Sequence, residues 1–294
     1  MIQVEGLTRI FGTTTAIDGL DFSVKAGEIV GFLGLNGAGK TTTMRILAGS
    51  LGATRGEARI AGHCVQKEPR QAKACVGYLP ERLPLHPEMT IRAYLDHAAR
   101  IKSVPAPHQA VDRSIERTSL GQVAHRLIGN LSKGYRQRVG LAQALVHDPA
   151  VLILDEPGTG LDPAQRAEIR ELIGELAQDS GTVLLSTHVL AEVEALCTRV
   201  LVLHQGQIVA QDDLEAMRSI HLHLARPTDA AMRDLSGVPG VGDVHSLGEG
   251  RFSVSAGSNR ELLAQAAAPH GLLEMSLRHR LEERFLSLTQ SEST

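Results

Sequence analysis

Apolar residues along this chain follow two rhythms, and the switch from one to the other predicts most of its elements. Short unbroken runs at residues 29–33, 76–79, 151–154, 182–186 and 200–203 have strand length and end at polar or turn residues. Between them, apolar residues recur at helical spacing, which predicts helices over 42–48, 91–101, 111–119, 135–146, 163–177 and 190–197. Apolar strands separated by helices predict an α/β core with a mainly parallel sheet covered on both faces. The first residues instead alternate, as in Met1-Ile2-Gln3-Val4-Glu5, giving strand, turn and strand. Residues 56–62 read as a short strand and hairpin, and residues 207–210 return beside 200–203 across His204-Gln205-Gly206. Pro80 ends a strand, and beyond it helical patterns take over to about residue 146, with Pro105 and Pro107 breaking the first helix from the second. This is a helical insertion, about 82–146, within the core.

A boundary falls near residues 218–220. Beyond it the pattern is strand (220–224), helix (229–235), strand (241–247), strand (251–256), helix (260–267) and strand (272–277). That order resembles a split βαββαβ, ferredoxin-like α+β module. A last amphipathic helix over 281–288 carries Leu281, Phe285 and Leu288 on one face. The expected domains are therefore 1–218 and a small accessory unit, 219–294. His221, His223, His245, His270 and His279 lack metal-ligand spacing and read as solvated surface residues.

Composition narrows the function. The formal net charge of −3 over 294 residues lacks the basic footprint of a nucleic-acid binder. Three scattered cysteines form no C-x-x-C pair, which suggests neither a zinc site nor a disulfide framework and fits a reducing compartment. The N-terminus enters a strand at once, without a basic-then-apolar signal region, and no apolar stretch reaches the ~18 residues of a membrane span.

One stretch carries specific chemistry. Gly34-Leu35-Asn36-Gly37-Ala38-Gly39-Lys40-Thr41-Thr42 fits the P-loop pattern and lies between a predicted strand and a predicted helix, the context that the motif requires. Its glycines let the backbone curl so that successive N–H groups face one anion, and the helix adds its positive end. Lys40 would reach the β- and γ-phosphates of a nucleoside triphosphate, and the Thr41 hydroxyl would bind Mg²⁺. The apolar strand 151–154 delivers Asp155 to the same Mg²⁺, as a Walker B strand does. Glu156, just beyond it, could accept a proton from the water attacking the γ-phosphate, a task suited to a carboxylate.

Between these motifs lies Leu131-Ser132-Lys133-Gly134-Tyr135-Arg136-Gln137-Arg138, opening a helix that runs into the Asp155 strand. In this order and spacing, residues 1 to about 215 resemble the ATP-binding cassette (ABC) ATPases. The resemblance implies a P-loop NTPase fold, ATP and Mg²⁺ as ligands, and two cassettes meeting head to tail. Ser132, Lys133 and Gly134 of one would then hold the γ-phosphate on the other's P-loop. It also implies that Asp162, in Gly160-Leu161-Asp162-Pro163, contacts the second cassette, and that His188 senses the γ-phosphate. Phe11 reads from the residues alone either as an adenine-stacking ring in a loop or as a satellite core aromatic; the resemblance favours stacking. Glu81 stands where the family usually has glutamine, close to catalysis and Mg²⁺. Lys133 either attracts the opposing phosphate or faces solvent.

Gly77-Tyr78-Leu79-Pro80-Glu81 and Ser186-Thr187-His188-Val189-Leu190-Ala191-Glu192 look like a branch of exporter cassettes whose permeases are separate chains. It includes cassettes of gliding-motility, drug-export, polysaccharide-export and copper-enzyme-maturation systems. The implied partners are an integral membrane permease and a second cassette, most simply a second copy, at the cytoplasmic face of the cell membrane. No nucleic acid is expected. The alternative is a soluble ABC-type ATPase acting on a non-membrane partner such as DNA or the ribosome. Relatives of that kind carry a long coiled-coil insertion or two cassettes in one chain, and neither pattern is present here.

Overall fold

The computed structural model describes residues 1–294 except 215, 217, 256–258, 280, 282–284 and 286–294. The chain divides into two compact units, Met1–Gln211 and Asp212–Thr294. The sequence pattern puts the boundary slightly later, near 218.

In the first unit, β1 (Ile2–Phe11) and β2 (Thr14–Val24) pair antiparallel and join β4 (Arg55–Ile60) and β5 (His63–Cys64) in a four-stranded sheet of order β2-β1-β4-β5. The alternation at the N-terminus explains the buried face: Ile2, Val4 and Leu7 point into the core. Phe11 is the last residue of β1 rather than a loop residue, because its neighbour pairing Phe11↔Thr14 closes the hairpin.

A second sheet has six strands, in the order β10-β9-β3-β8-β7-β6. Its members are β3 (Ile29–Leu33), β6 (Val76–Leu79), β7 (Val151–Asp155), β8 (Val183–Thr187), β9 (Arg199–His204) and β10 (Gln207–Asp213). The pairs β3/β8, β3/β9, β6/β7 and β7/β8 are parallel. Every residue of β7 and β8 is buried, as two-sided coverage by helices requires. The β9–β10 hairpin turns on Gln205 and Gly206 at φ 45° and 81°, the positive values that a two-residue turn demands. Registers Asp155↔Ser186 and Leu33↔Thr187 align the C-terminal ends of β7, β8 and β3, and this edge is where loops of such sheets bind ligands.

Helices differ from the sequence pattern mainly at their starts. α1 (Lys40–Leu47) begins two residues before the expected Thr42, immediately after the left-handed Gly39. α2 (Pro69–Ala74) was not signalled by the apolar pattern, since only Ala72 is buried on it. α3 (Ile91–Ile101) has the expected bounds and is capped by the Thr90 hydroxyl on the Ala93 N–H. α4 (Pro107–Arg117) starts four residues earlier than expected. Pro107 opens this helix instead of breaking it, because its missing N–H is an orphan donor in any first turn. α5 (Lys133–Leu145) follows the cap residue Ser132, and α6 (Pro163–Ser180) follows the cap residue Asp162. α7 (Leu190–Leu196) completes the unit. α3, α4 and α5 share a core of their own, including Ile91, Leu95, Val111, Ile115 and Val139, so the helical insertion is a packed subdomain.

In the second unit, β11 (Arg218–Leu224), α8 (Asp229–Ser236), β12 (Val244–Gly248), β13 (Arg251–Ser255), α9 (Arg260–Ala267) and β14 (Leu272–His279) follow one another as the sequence pattern predicts. The sheet order is β12-β13-β11-β14 with antiparallel pairings, the ferredoxin-like arrangement. Ile220, Leu222, Phe252, Val254, Leu235 and Leu263 fill its core. His270 is no solvated surface residue: its ring is nearly buried and its Nε2 lies 2.8 Å from Asp234 Oδ2. Leu281 and Phe285 of the expected last helix are buried, whereas Leu288 lies outside the described residues. Among the described residues, no helix is long and apolar enough to cross a membrane.

Candidate nucleotide site

The loop between β3 and α1 explains its own glycines. Gly39 has φ 106°, and a methyl group there would come within 2.7 Å of both Ala16 O and Ile17 Cγ2. No side chain caps the first turn of α1, so its N–H groups stay open toward the loop. Lys40 is buried at its base, with Nζ 2.7 Å from Gly34 O, 3.2 Å from Leu35 O and 3.4 Å from Glu156 Oε1. Beside it opens a cavity of about 380 Å³ lined by Asn36, Gly37, Gly39, Lys40, Thr41 and Thr42, with Ala16, Glu81, Glu156, Thr159 and His188 completing the wall.

The strand ends supply the acids. Asp155 is fully buried; the Ser186 hydroxyl donates to its Oδ1 at 2.6 Å and the Thr41 hydroxyl at 3.2 Å. Its Oδ2 is also buried and has no hydrogen-bond partner. Burial pushes the Asp155 carboxyl above its usual range, against the two hydroxyls, which favour the charged form. Glu156 sits at φ 50°, a left-handed conformation uncommon for a side-chain-bearing residue, and its N–H donates to Ser186 O at 3.1 Å. That kink at the end of β7 turns the carboxylate toward Lys40 and away from the strand direction. Its Oε2 lies 2.8 Å from His188 Nδ1 and accepts from the Thr159 hydroxyl at 3.3 Å.

An unpartnered, buried carboxylate oxygen beside a hydroxyl is a hard-oxygen donor set that fits Mg²⁺. That ion takes only one or two protein carboxylates and fills its remaining positions with phosphate and water. Among the described residues, no cluster of three or more His, Cys, Asp or Glu offers a complete cage. The substrate's phosphates would supply the missing ligands.

The structure thus brings together the P-loop, Glu81, Asp155, Glu156 and His188. It keeps Ser132, Lys133 and Gly134 out of this cavity: Ser132 is exposed and caps α5, accepting from the Tyr135 N–H at 3.4 Å. Asp162 Oδ1 caps α6 through the Gln165 N–H at 2.9 Å. Phe11 is 44% exposed, with the Arg9 guanidinium 4.5 Å from its ring centre, and it does not line the cavity. Sequence reasoning missed Ser186 and Thr159. A hydroxyl closing an otherwise apolar strand was the available signal for Ser186; Thr159 had none.

Comparison with known proteins gives this geometry its family. The model of the family described as ABC transporter matches residues 17–159. The chain is 33% identical over 308 aligned positions to the linearmycin resistance ATP-binding protein LnrL of Bacillus subtilis (strain 168), covering 98% of both chains. The chain belongs to the ABC transporter ATP-binding family. It is also 37% identical to the bacitracin transport ATP-binding protein BcrA of Bacillus licheniformis, over 72% of this chain and 69% of that one. A solved structure of the ATP-binding subunit of an ABC transporter superposes with a TM-score of 0.66 at 29% identity, over 74% of this chain and 91% of that chain. This cassette is therefore an ATP-binding, ATP-hydrolysing subunit of an ABC transporter, and its first unit has the cassette fold.

Proposed function

We propose that the cassette powers an exporter, working as a dimer of cassettes docked on a separate membrane permease at the cytoplasmic face. The observation that carries this reading is the division of its anion-binding parts. The P-loop, Glu156 and His188 surround one cavity, with Asp155 behind Thr41, while Ser132 stands outside it at an exposed helix start whose next turn holds the buried Gly134. Such a start is a second anion site with no ligand of its own chain, and a head-to-tail second copy supplies one.

In that dimer Lys40 binds the β- and γ-phosphates, and Thr41 and Asp155, with Glu81 on the same cavity wall, would hold Mg²⁺. The ion, when bound, neutralises charge developing on the phosphates. Glu156 takes a proton from the attacking water, His188 orients Glu156 and contacts the γ-phosphate, and Phe11 with Arg9 at its ring stacks on the base. Ser132, Lys133 and Gly134 close over the partner's γ-phosphate, and Asp162 meets the partner. Because phosphate binds both halves only when they meet, ATP favours the closed pair and hydrolysis releases it.

A groove of about 520 Å³ supports the permease contact. Leu83, Leu85, Pro87 and Ile128 give it an apolar floor, with Arg82, Lys133 and Arg136 around it. The insertion that forms it, residues 82–146, holds ten Lys and Arg against four Asp and Glu in a chain that is acidic as a whole. An amphipathic permease helix with acidic residues beside its apolar stripe fits that surface. Glu81 and Thr159 line both groove and nucleotide cavity, so an occupant of one touches the wall of the other.

The test is co-purification of the tagged chain from gently solubilised native membranes. Recovery of a polypeptide with several ~20-residue apolar spans, lost in the Arg82→Glu/Arg136→Glu variant, is the expected result. Recovery of soluble partners or nucleic acid alone would move the ATPase to the non-membrane alternative.

A further inference from the structure

The loop after Glu156 is shaped around one hydroxyl. Thr159 lies between two glycines, and each glycine is packed against the charged end of a side chain from another helix. A methyl group at Gly158 would overlap Glu192 Oε1 of α7, and one at Gly160, where φ is +67°, would overlap Lys133 Nζ of α5. Glu192 is itself buried and fixed by the Thr187 hydroxyl at 2.7 Å. The Thr159 N–H donates to Glu156 O at 3.1 Å, which closes the loop back on the residue it serves. A β-branched side chain at this point has little freedom at χ1, so its hydroxyl is aimed by the backbone.

From this clamp we infer that Thr159 is a positioning residue for hydrolysis, anchoring one oxygen of Glu156 so that the other is presented to the attacking water. The inference rests on the reading of Glu156 as the proton acceptor. Oε2 is held by Thr159 and by His188, whereas Oε1 faces Lys40 Nζ at 3.4 Å. A γ-phosphate competes with Oε1 for the Lys40 ammonium. When it wins, Oε1 is released to water while Oε2 stays anchored. The water's proton then moves to Oε1, its oxygen bonds to the γ-phosphorus, and the bond from that phosphorus to the β–γ bridging oxygen breaks to leave ADP.

Four full-length variants test the role: Thr159→Val, Thr159→Ala, Thr159→Ser and Glu156→Gln, each measured for ATP affinity and for kcat. Thr159→Val keeps the shape and loses the donor; kcat falls about tenfold with ATP affinity unchanged. Thr159→Ala, which cannot crowd the loop, behaves alike, and Thr159→Ser recovers to within about twofold. Wild-type kcat in Thr159→Val, with Glu156→Gln inactive, overturns the role of Thr159 alone. Equal impairment of the serine and valine variants also overturns it, since packing rather than the hydroxyl would then matter. Undiminished turnover in Glu156→Gln overturns the assignment of the base beneath it.

Discussion

Two helix starts in this cassette are built to meet anions, and they solve the problem in opposite ways. At α1 the residue before the helix is Gly39, no side chain caps the first turn, and the buried Lys40 stands beside a walled cavity. At α5 the residue before the helix is Ser132, whose hydroxyl caps the Tyr135 N–H over a long 3.4 Å, on an exposed surface. Strand ends bring Asp155, Glu156 and His188 to the first start, which leaves its helix N–H groups open for a ligand. The second start meets one of its donors with its own side chain and stands outside that cavity.

The sharpest way to break this comparison is to disable the two starts in separate chains. Lys40→Ala should abolish turnover, at least 100-fold, by losing the phosphate contact; Gly134→Asp should do the same by placing a negative charge opposite the partner's phosphate. Mixed in equal amounts, half of the dimers would carry one intact composite site, so about a quarter of wild-type activity should return. No recovery on mixing, with each variant folded and the first deficient in ATP binding, would mean that both starts serve the same nucleotide.

Asp155 gives the next effect. Its orphan Oδ2 is a cost to the fold, one that the proposed Mg²⁺ would offset. Asp155→Asn removes the buried charge and should raise the melting temperature measured in a chelator by a few degrees, roughly 1 kcal/mol, while cutting Mg²⁺-dependent turnover about 100-fold. A lower melting temperature would show that the carboxylate is structurally satisfied.

The same contrast explains what was legible in the sequence. Strand β7 and the P-loop could be read because burial on both faces and an anion cradle each impose narrow residue choices, Val-Leu-Ile-Leu and three glycines. The C-terminal module was readable in order, and its pairing β12-β13-β11-β14 follows from that order. Ser132 and Gly134 are proposed from motif order alone, since the start of α5 leaves few marks of its own. The left-handed Glu156, the Ser186 hydroxyl and Thr159 were not readable. Each depends on register between strands or on close approach of side chains distant in sequence. α4 was misjudged because Pro107 signals a break or a start with equal force until its neighbours are placed.

The proposed stacking of Phe11 gives the next test. Its ring bears Arg9 at 4.5 Å and is 44% exposed, an amphipathic platform at the end of β1. Phe11→Ala should weaken ATP about fivefold and leave kcat at saturation unchanged, and Phe11→Tyr should bind as wild type. A loss confined to ATP, with affinity for inorganic triphosphate unchanged, would support stacking; an unchanged ATP affinity would remove Phe11 from the site.

A small half-buried joint lies just beyond the far end of α5. His147 donates from Nε2 to Val76 O at 2.9 Å, at the start of the strand that leads to Glu81, and its Nδ1 lies 3.0 Å from the Lys102 ammonium at the end of α3. Burial pushes His147 down to about 4 and Lys102 down to about 8, with Lys102 opposing the histidine's charge and Asp148 favouring it. The folded chain therefore refuses a proton that the unfolded chain accepts below the ordinary histidine value of about 6.5. Stability from this group is whole above that pH and is lost as pH falls toward 4. Lys102 acts in the alkaline range: stability rises with pH above 8, where the folded chain releases its proton before the unfolded one. His147→Gln should cost about 1 kcal/mol at neutral pH, and its melting temperature should fall less steeply than wild type between pH 6.5 and 5. Parallel slopes would place the acid sensitivity in other groups and leave the joint a plain packing contact.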